Sequence, residues 1–157
     1  MFDRDFDSLA VGDRFVTRGR TVTEADVVSF ASLTGDMHPQ HTDRAWAASS
    51  LFGERVAHGM LVASFALGML PFEPERVIAL RRVRGAVFKR PVCFGDTIHV
   101  LGRVDRVDPA TGLVGVRLDV VNQESVLVAR LGVDVLWRRD ESVLPVDETF
   151  ELAGLPI

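Results

Sequence analysis

Residues 59–70 read Gly-Met-Leu-Val-Ala-Ser-Phe-Ala-Leu-Gly-Met-Leu, a run with one polar side chain, Ser64, that stops at Pro71. A helix that is apolar on nearly every face must be covered on nearly every side, so this run predicts a helix buried at the centre of a domain. Its 12 residues span about 18 Å at 1.5 Å per residue, enough to cross a small domain and too little to cross a bilayer. No later run approaches the length of a membrane span.

The cover for such a helix is found in the second half of the chain. Residues 77–88, 97–107, 113–121 and 126–137 are valine-rich and partly alternating, which predicts antiparallel strands. Asp108-Pro109-Ala110-Thr111-Gly112 and Asn122-Gln123-Glu124-Ser125 separate consecutive pairs and carry the residue types that hairpin turns favour, so the strands form a meander. Upstream, residues 13–22 predict a first strand interrupted at Gly19. Thr23 and Asp26 then form a capping-box pattern, with Ala25, Val28, Ala31 and Ser32 at helical spacing and Gly35 as the stop. Pro39 forces the chain out of the helix, which places the polar residues after Gly35 on a loop. Asp43 caps a short helix through Ala48 that ends near Leu51-Phe52-Gly53, a lid-like connection. One α+β domain over residues 1–157, an antiparallel sheet wrapped around a central apolar helix, accommodates all of these elements.

Charge and cysteine content narrow the function classes. With 18 basic against 22 acidic side chains the chain carries −4, and it has no basic block that could track a phosphate backbone, which argues against nucleic acid as a partner. The opening residues, Met-Phe-Asp-Arg-Asp, are acidic where a secretory signal is basic, so the expected location is cytoplasmic and away from membranes. Cys93 is the single cysteine, which excludes an intramolecular disulfide and a thiolate zinc cluster and suits a small packing residue.

Three of the four histidines fall between Phe30 and Leu70. Asp36 and His41, five residues apart around Pro39, put a carboxylate and an imidazole within reach of one point, the pairing that acid–base chemistry uses. Each also has a plain structural use, Asp36 as a cap for the loop backbone and His41 in a surface turn. Gly59, opening the apolar helix, offers a backbone N–H at a helix N-terminus, pre-oriented toward developing negative charge, or simply a tight turn. A metal site from Asp36, His38, His41 and His58 is a minor alternative, because the segment supplies no third soft ligand.

The stretch Phe-Ala-Ser-Leu-Thr-Gly-Asp-Met-His-Pro-Gln-His-Thr-Asp (30–43), with Ala-His-Gly-Met-Leu-Val-Ala-Ser (57–64), resembles the signature of MaoC-like dehydratases and (R)-specific enoyl-CoA hydratases. Phe-Lys-Arg-Pro-Val-Cys-Phe-Gly-Asp-Thr (88–97) is similar to that family's strand junction. The resemblance implies a hot-dog fold, usually a homodimer or a dimer of dimers with joined sheets, and a hydro-lyase that adds water reversibly to a trans-2-enoyl thioester. It implies Asp36 and His41 as the catalytic pair, Gly59 as the oxyanion contact and Ser64 as support, although a helix serine also bonds its own preceding turn. It implies no metal and no cofactor beyond the coenzyme A of an acyl-CoA substrate; an acyl-carrier-protein thioester is the alternative partner. His38 stands where the family often has asparagine, and His58 is expected to hold the turn. Within the basic group Arg81, Arg82, Arg84, Lys89 and Arg90, coenzyme A phosphates have Arg84, Lys89 and Arg90 as candidate contacts. Trp46, Met60, Phe65 and Met69 are candidates to line an acyl tunnel. Loss of activity in a retained acyl-binding domain, and thioester hydrolysis, are the competing functions.

Overall fold

The computed structural model describes residues 1–139. The single-domain expectation reaches beyond them, to residue 157. A 3-10 turn, Phe6–Ser8, leads into two short strands, β1 (Arg14–Val16) and β2 (Arg20–Thr21), followed by helices α1 (Glu24–Thr34), α2 (Pro39–Thr42), α3 (Arg44–Ala48) and α4 (Gly59–Gly68). Four long strands complete the described chain: β3 (Val77–Phe88), β4 (Thr97–Asp108), β5 (Leu113–Val121) and β6 (Leu127–Trp137). They pair antiparallel in the order β1-β4-β5-β6-β3, and β2 pairs with the start of β4. The predicted strands are thus present to within a residue at their ends, and the break at Gly19 separates β1 from β2.

One face of the sheet supplies the core. Val100, Val104, Val114, Val116, Leu118, Val120, Leu131, Val133 and Val135 are fully buried together with Leu61, Val62, Ala63 and Ala66 of α4. Burying such a side chain contributes about 1.5–3 kcal/mol, so the valine alternation read from the sequence is the main source of cohesion. Among the described residues no helix is long and apolar enough to cross a membrane.

Two expectations need correction. The central helix is not covered all round: Met60, Ser64 and Gly68, one turn apart, face outward. A single curved sheet covers one side of a helix, and the outer side stays bare beside β3, where Leu80, Val83, Val87 and Phe88 are also exposed. The inward face of α1 is also different: it buries Val27 and Ala31, while Ala25, Val28 and Ser32 lie outside. Apolar residues surround this helix, so spacing alone did not select a face. Its capping box, Thr23 with Asp26, and its left-handed stop at Gly35 are present as expected.

Candidate active site

The helix stop at Gly35 turns the chain so that Asp36 leads a tight polar segment. Asp36 Oδ1 accepts the His38 N–H at 3.3 Å, which holds the carboxylate against its own backbone while its side chain stays 53% exposed. Pro39 then does more than break a helix. It starts the one-turn α2, with its fixed φ suited to the first helical position, and His38 caps that turn by accepting the Gln40 N–H on Nδ1 at 3.2 Å. His41 therefore sits on a short helix, not on the expected loop. His38 is exposed and acts as the cap.

His41 is 4% exposed. Its Nδ1–H donates to the Val56 carbonyl at 2.6 Å, an acceptor only, so the lone pair is left on Nε2. The Gln40 side-chain amide donates to that nitrogen at 2.9 Å, consistent with the same tautomer. Val56 is itself held in place, since its N–H donates to the Gln40 carbonyl at 3.1 Å and it bridges to Cys93. Burial pushes the His41 pKa below the usual imidazole range; the neighbouring His58 and His38 act in the same direction, while the Val56 bond and Asp36 oppose it. Burial thus favours the neutral imidazole of His41.

His58, 2% exposed, stacks on His41 with ring centroids 3.7 Å apart and planes 24° apart. Its Nε2–H donates to the Asp36 carbonyl at 3.0 Å. Immediately after it α4 begins, with no side-chain cap from His58, so the first-turn N–H groups of Gly59 and Met60 lie open at a positive helix end. A Cβ on Gly59 would lie 2.8 Å from the Phe88 ring, so glycine also permits β3 to close over the helix start.

These groups surround a cavity of about 560 Å³ lined by Asp36, His41, His58, Gly59, Gln40, Phe30, Phe52, Met60 and Phe88, with Lys89 and Arg90 also on its wall. A carboxylate, a neutral imidazole whose Nε2 lone pair is held by the Gln40 amide, and an open helix N-terminus face one space, which equips it to hold water, move its proton and stabilise an oxyanion. Asp36, His41 and His58 each also offer a metal-ligand atom, all within 4.8 Å of one another. His58 Nε2 is committed to the Asp36 carbonyl, and His38 is outside the group, so the four-residue metal site weighed above is not assembled as such.

A family model described as "MaoC like domain" matches residues 7–124. The chain belongs to the MaoC-like family. Among relatives of this MaoC-like chain, the Klebsiella aerogenes protein named MaoC is 44% identical over 100 residues, 63% of this chain and 30% of that protein's length. The (R)-specific enoyl-CoA hydratase of Rhodospirillum rubrum is 33% identical over 98 residues, covering 62% of this chain and 68% of the relative. In structure, a protein from Archaeoglobus fulgidus described as a monoamine oxidase regulatory protein superposes with a TM-score of 0.80 at 37% identity, over 87% of this chain and 95% of that one. The fold is the hot-dog fold of MaoC-like proteins, an antiparallel sheet around an apolar helix.

The MaoC-like site gathers Asp36, His41, Gly59 and His58, and with them Lys89 and Arg90, but not every residue named from the sequence. Ser64 is exposed on the outer side of α4 and donates to the Met60 carbonyl at 2.8 Å, away from the lining. Arg84 points along the other face of the sheet: it lies over Gly115 and Gly132, its Nε is 2.9 Å from buried Asp134, and it also donates to Asp105 at 3.0 Å. It is ion-paired with Asp134 and is not among the residues that line the cavity. Met60 lines the cavity, whereas Phe65 lies under the Arg20 guanidinium, Met69 packs on the core and Trp46 meets His38 edge-on. Gln40, the Val56 carbonyl, Phe30, Phe52 and Phe88 were missed. Only Gln40 carried a signal, its place beside His41.

Proposed function

We propose that this MaoC-like protein catalyses the reversible hydration of a trans-2-enoyl-CoA to the (R)-3-hydroxyacyl-CoA. The observation that carries this reading is the shared cavity of Asp36, His41 Nε2 and the open N-terminus of α4. Water bridging Asp36 and His41 loses a proton to this pair as its oxygen attacks C3 of the enoyl chain. Electrons move onto the thioester oxygen, where the Gly59 N–H meets the developing charge. C2 then regains a proton from the same pair, giving addition on one face. Dehydration is the same path reversed. The (R) outcome rests on the Rhodospirillum rubrum relative, whose name specifies it.

Lys89 and Arg90 on the cavity wall suit the phosphates of coenzyme A, and no cofactor beyond that part of the substrate is needed. A carrier-protein-tethered chain presents a phosphate as well and is the second reading. The bare apolar side of α4 and the exposed residues of edge strand β3 support a homodimer through this edge.

The test is hydration of crotonyl-CoA and longer enoyl-CoAs, with carrier-protein thioesters in parallel. Asp36→Asn and His41→Ala should each lower kcat by about 10²–10⁴-fold. Wild-type turnover in both variants rejects the site; release of free thiol in place of hydration would make the protein a thioesterase.

A further inference from the structure

We propose that His58 is a positioning residue that fixes both members of the acid–base pair with one ring, an inference that rests on the hydration reading. Its face supports the His41 ring at 3.7 Å, and its Nε2–H holds the backbone carbonyl of Asp36 at 3.0 Å. The Phe30 ring of α1 packs against His58 with centroids 5.1 Å apart and planes tilted by 55°. Asp36 and His41 lie on different local structures, one on the segment after α1 and the other on α2. His58 is a side chain that touches both.

Two observations separate this role from ordinary packing. His58 stands at the N-cap position of α4 yet makes no side-chain cap there, so it does not serve that helix end. Its Nδ1 is buried with no hydrogen-bond partner among the described residues, a cost that an apolar ring of similar shape would avoid. An aromatic ring alone would fill the space better. What a phenyl ring lacks is the N–H that reaches the Asp36 carbonyl.

The ring also bears on proton transfer. Groups facing His41 are Asp36 on the loop, His38 at the start of α2, His58 ahead of α4, and Lys89 and Arg90 across the cavity. With its Nε2–H directed at the Asp36 carbonyl, His58 presents its ring face to the imidazolium that forms when His41 accepts a proton from water. A misplacement of about 1 Å between the reacting groups costs on the order of 10²-fold in rate, so a ring that fixes their spacing acts on kcat and leaves binding of the acyl thioester largely untouched.

The test pairs His58→Phe, which keeps the stacked ring and loses the donor, with His58→Gln, which keeps a donor and loses the stack. In variants shown folded by circular dichroism, kcat for crotonyl-CoA should fall by about 10–100-fold with KM changed by less than about threefold. Folded variants with wild-type kcat, or with the whole loss in KM, overturn the proposal. Imidazole nitrogen NMR supplies a readout free of activity and of mutation: at about pH 8 the wild-type His58 proton should reside on Nε2. A proton on Nδ1 of His58 refutes the role. A wild type inactive on every enoyl thioester would instead remove the hydration reading, while the NMR result still decides whether His58 holds the Asp36 carbonyl.

Discussion

Replacing Gly59 with alanine separates the two reasons for a glycine at the start of α4. Gly59 does not have a positive φ, so alanine meets no backbone strain there. Its Cβ would fall 2.8, 2.9 and 2.9 Å from Cδ2, Cε2 and Cγ of Phe88. Ordinary carbon contacts lie at about 3.5–4.0 Å, so the ring has to retreat by roughly 0.6–1.2 Å. Because Cγ is among the clashing atoms, turning the ring about its own axis does not relieve the overlap; the side chain must swing from the strand. Phe88 is 45% exposed and has room to move outward. Overpacking of this kind costs about 1–3 kcal/mol, the lower part applying to a half-exposed ring, and alanine returns up to about 1 kcal/mol of helix propensity. A net stability loss of about 0–2 kcal/mol is expected by urea unfolding. Activity should suffer more, because the new methyl sits beside the N–H proposed to meet the thioester oxygen and displaces a wall of the cavity. Loss of one such donor costs about 10²–10³ in kcat. The assay is the disappearance of crotonyl-CoA enoyl absorbance in the folded variant. Near wild-type kcat/KM with the fold intact would refute Gly59 as the oxyanion contact and leave it a packing glycine.

The depressed pKa of buried His41 gives a signed pH dependence: the base form persists at neutrality, so kcat/KM should hold from about pH 7 upward and fall on the acid side with a midpoint below the ordinary 6.5. By linkage the unfolded chain binds the proton first, so the same group's contribution to stability is intact above 6.5 and is lost as pH falls through the folded value; stability rising on acidification through this window would contradict the burial of His41. Arg84→Met removes one of three arginines around Asp134, with Arg106 remaining at 3.4 Å and Arg82 at 3.8 Å, and should cost about 1–3 kcal/mol in urea unfolding without changing KM for an acyl-CoA. A raised KM in that variant would restore Arg84 as a phosphate contact. Burial beside Glu54 and Asp96 pushes the Cys93 thiol up to about 11, so iodoacetamide at pH 8 should label it only after denaturation; rapid labelling of the native protein would show a reactive thiol.

Periodicity and turn chemistry made most of the fold legible. The capping box at Thr23, the stop at Gly35, the cap at Asp43 and the four long strands each rest on interactions within a few residues, which a local pattern contains. The pairing of Asp36 with His41, and Gly59 at a helix start, were legible through motif spacing. His38 was not, because its use as a cap for α2 depends on Pro39 acting as a helix initiator and not as a breaker.

The sequence by itself determined that an apolar helix and an alternating sheet must enclose one another, because period and hydrophobicity act residue by residue along the chain. It also determined which carboxylate and imidazole lie near each other across Pro39. Only the tertiary structure decided that His58, 17 residues beyond His41, would lie flat against it, and that Arg84 would turn to Asp134 on the opposite face of the sheet. It also left Ser64 and Met60 on the uncovered side of α4. Those outcomes depend on how α4 rotates within the sheet and on the bulges that redirect β3, and both are set by packing among segments distant in sequence.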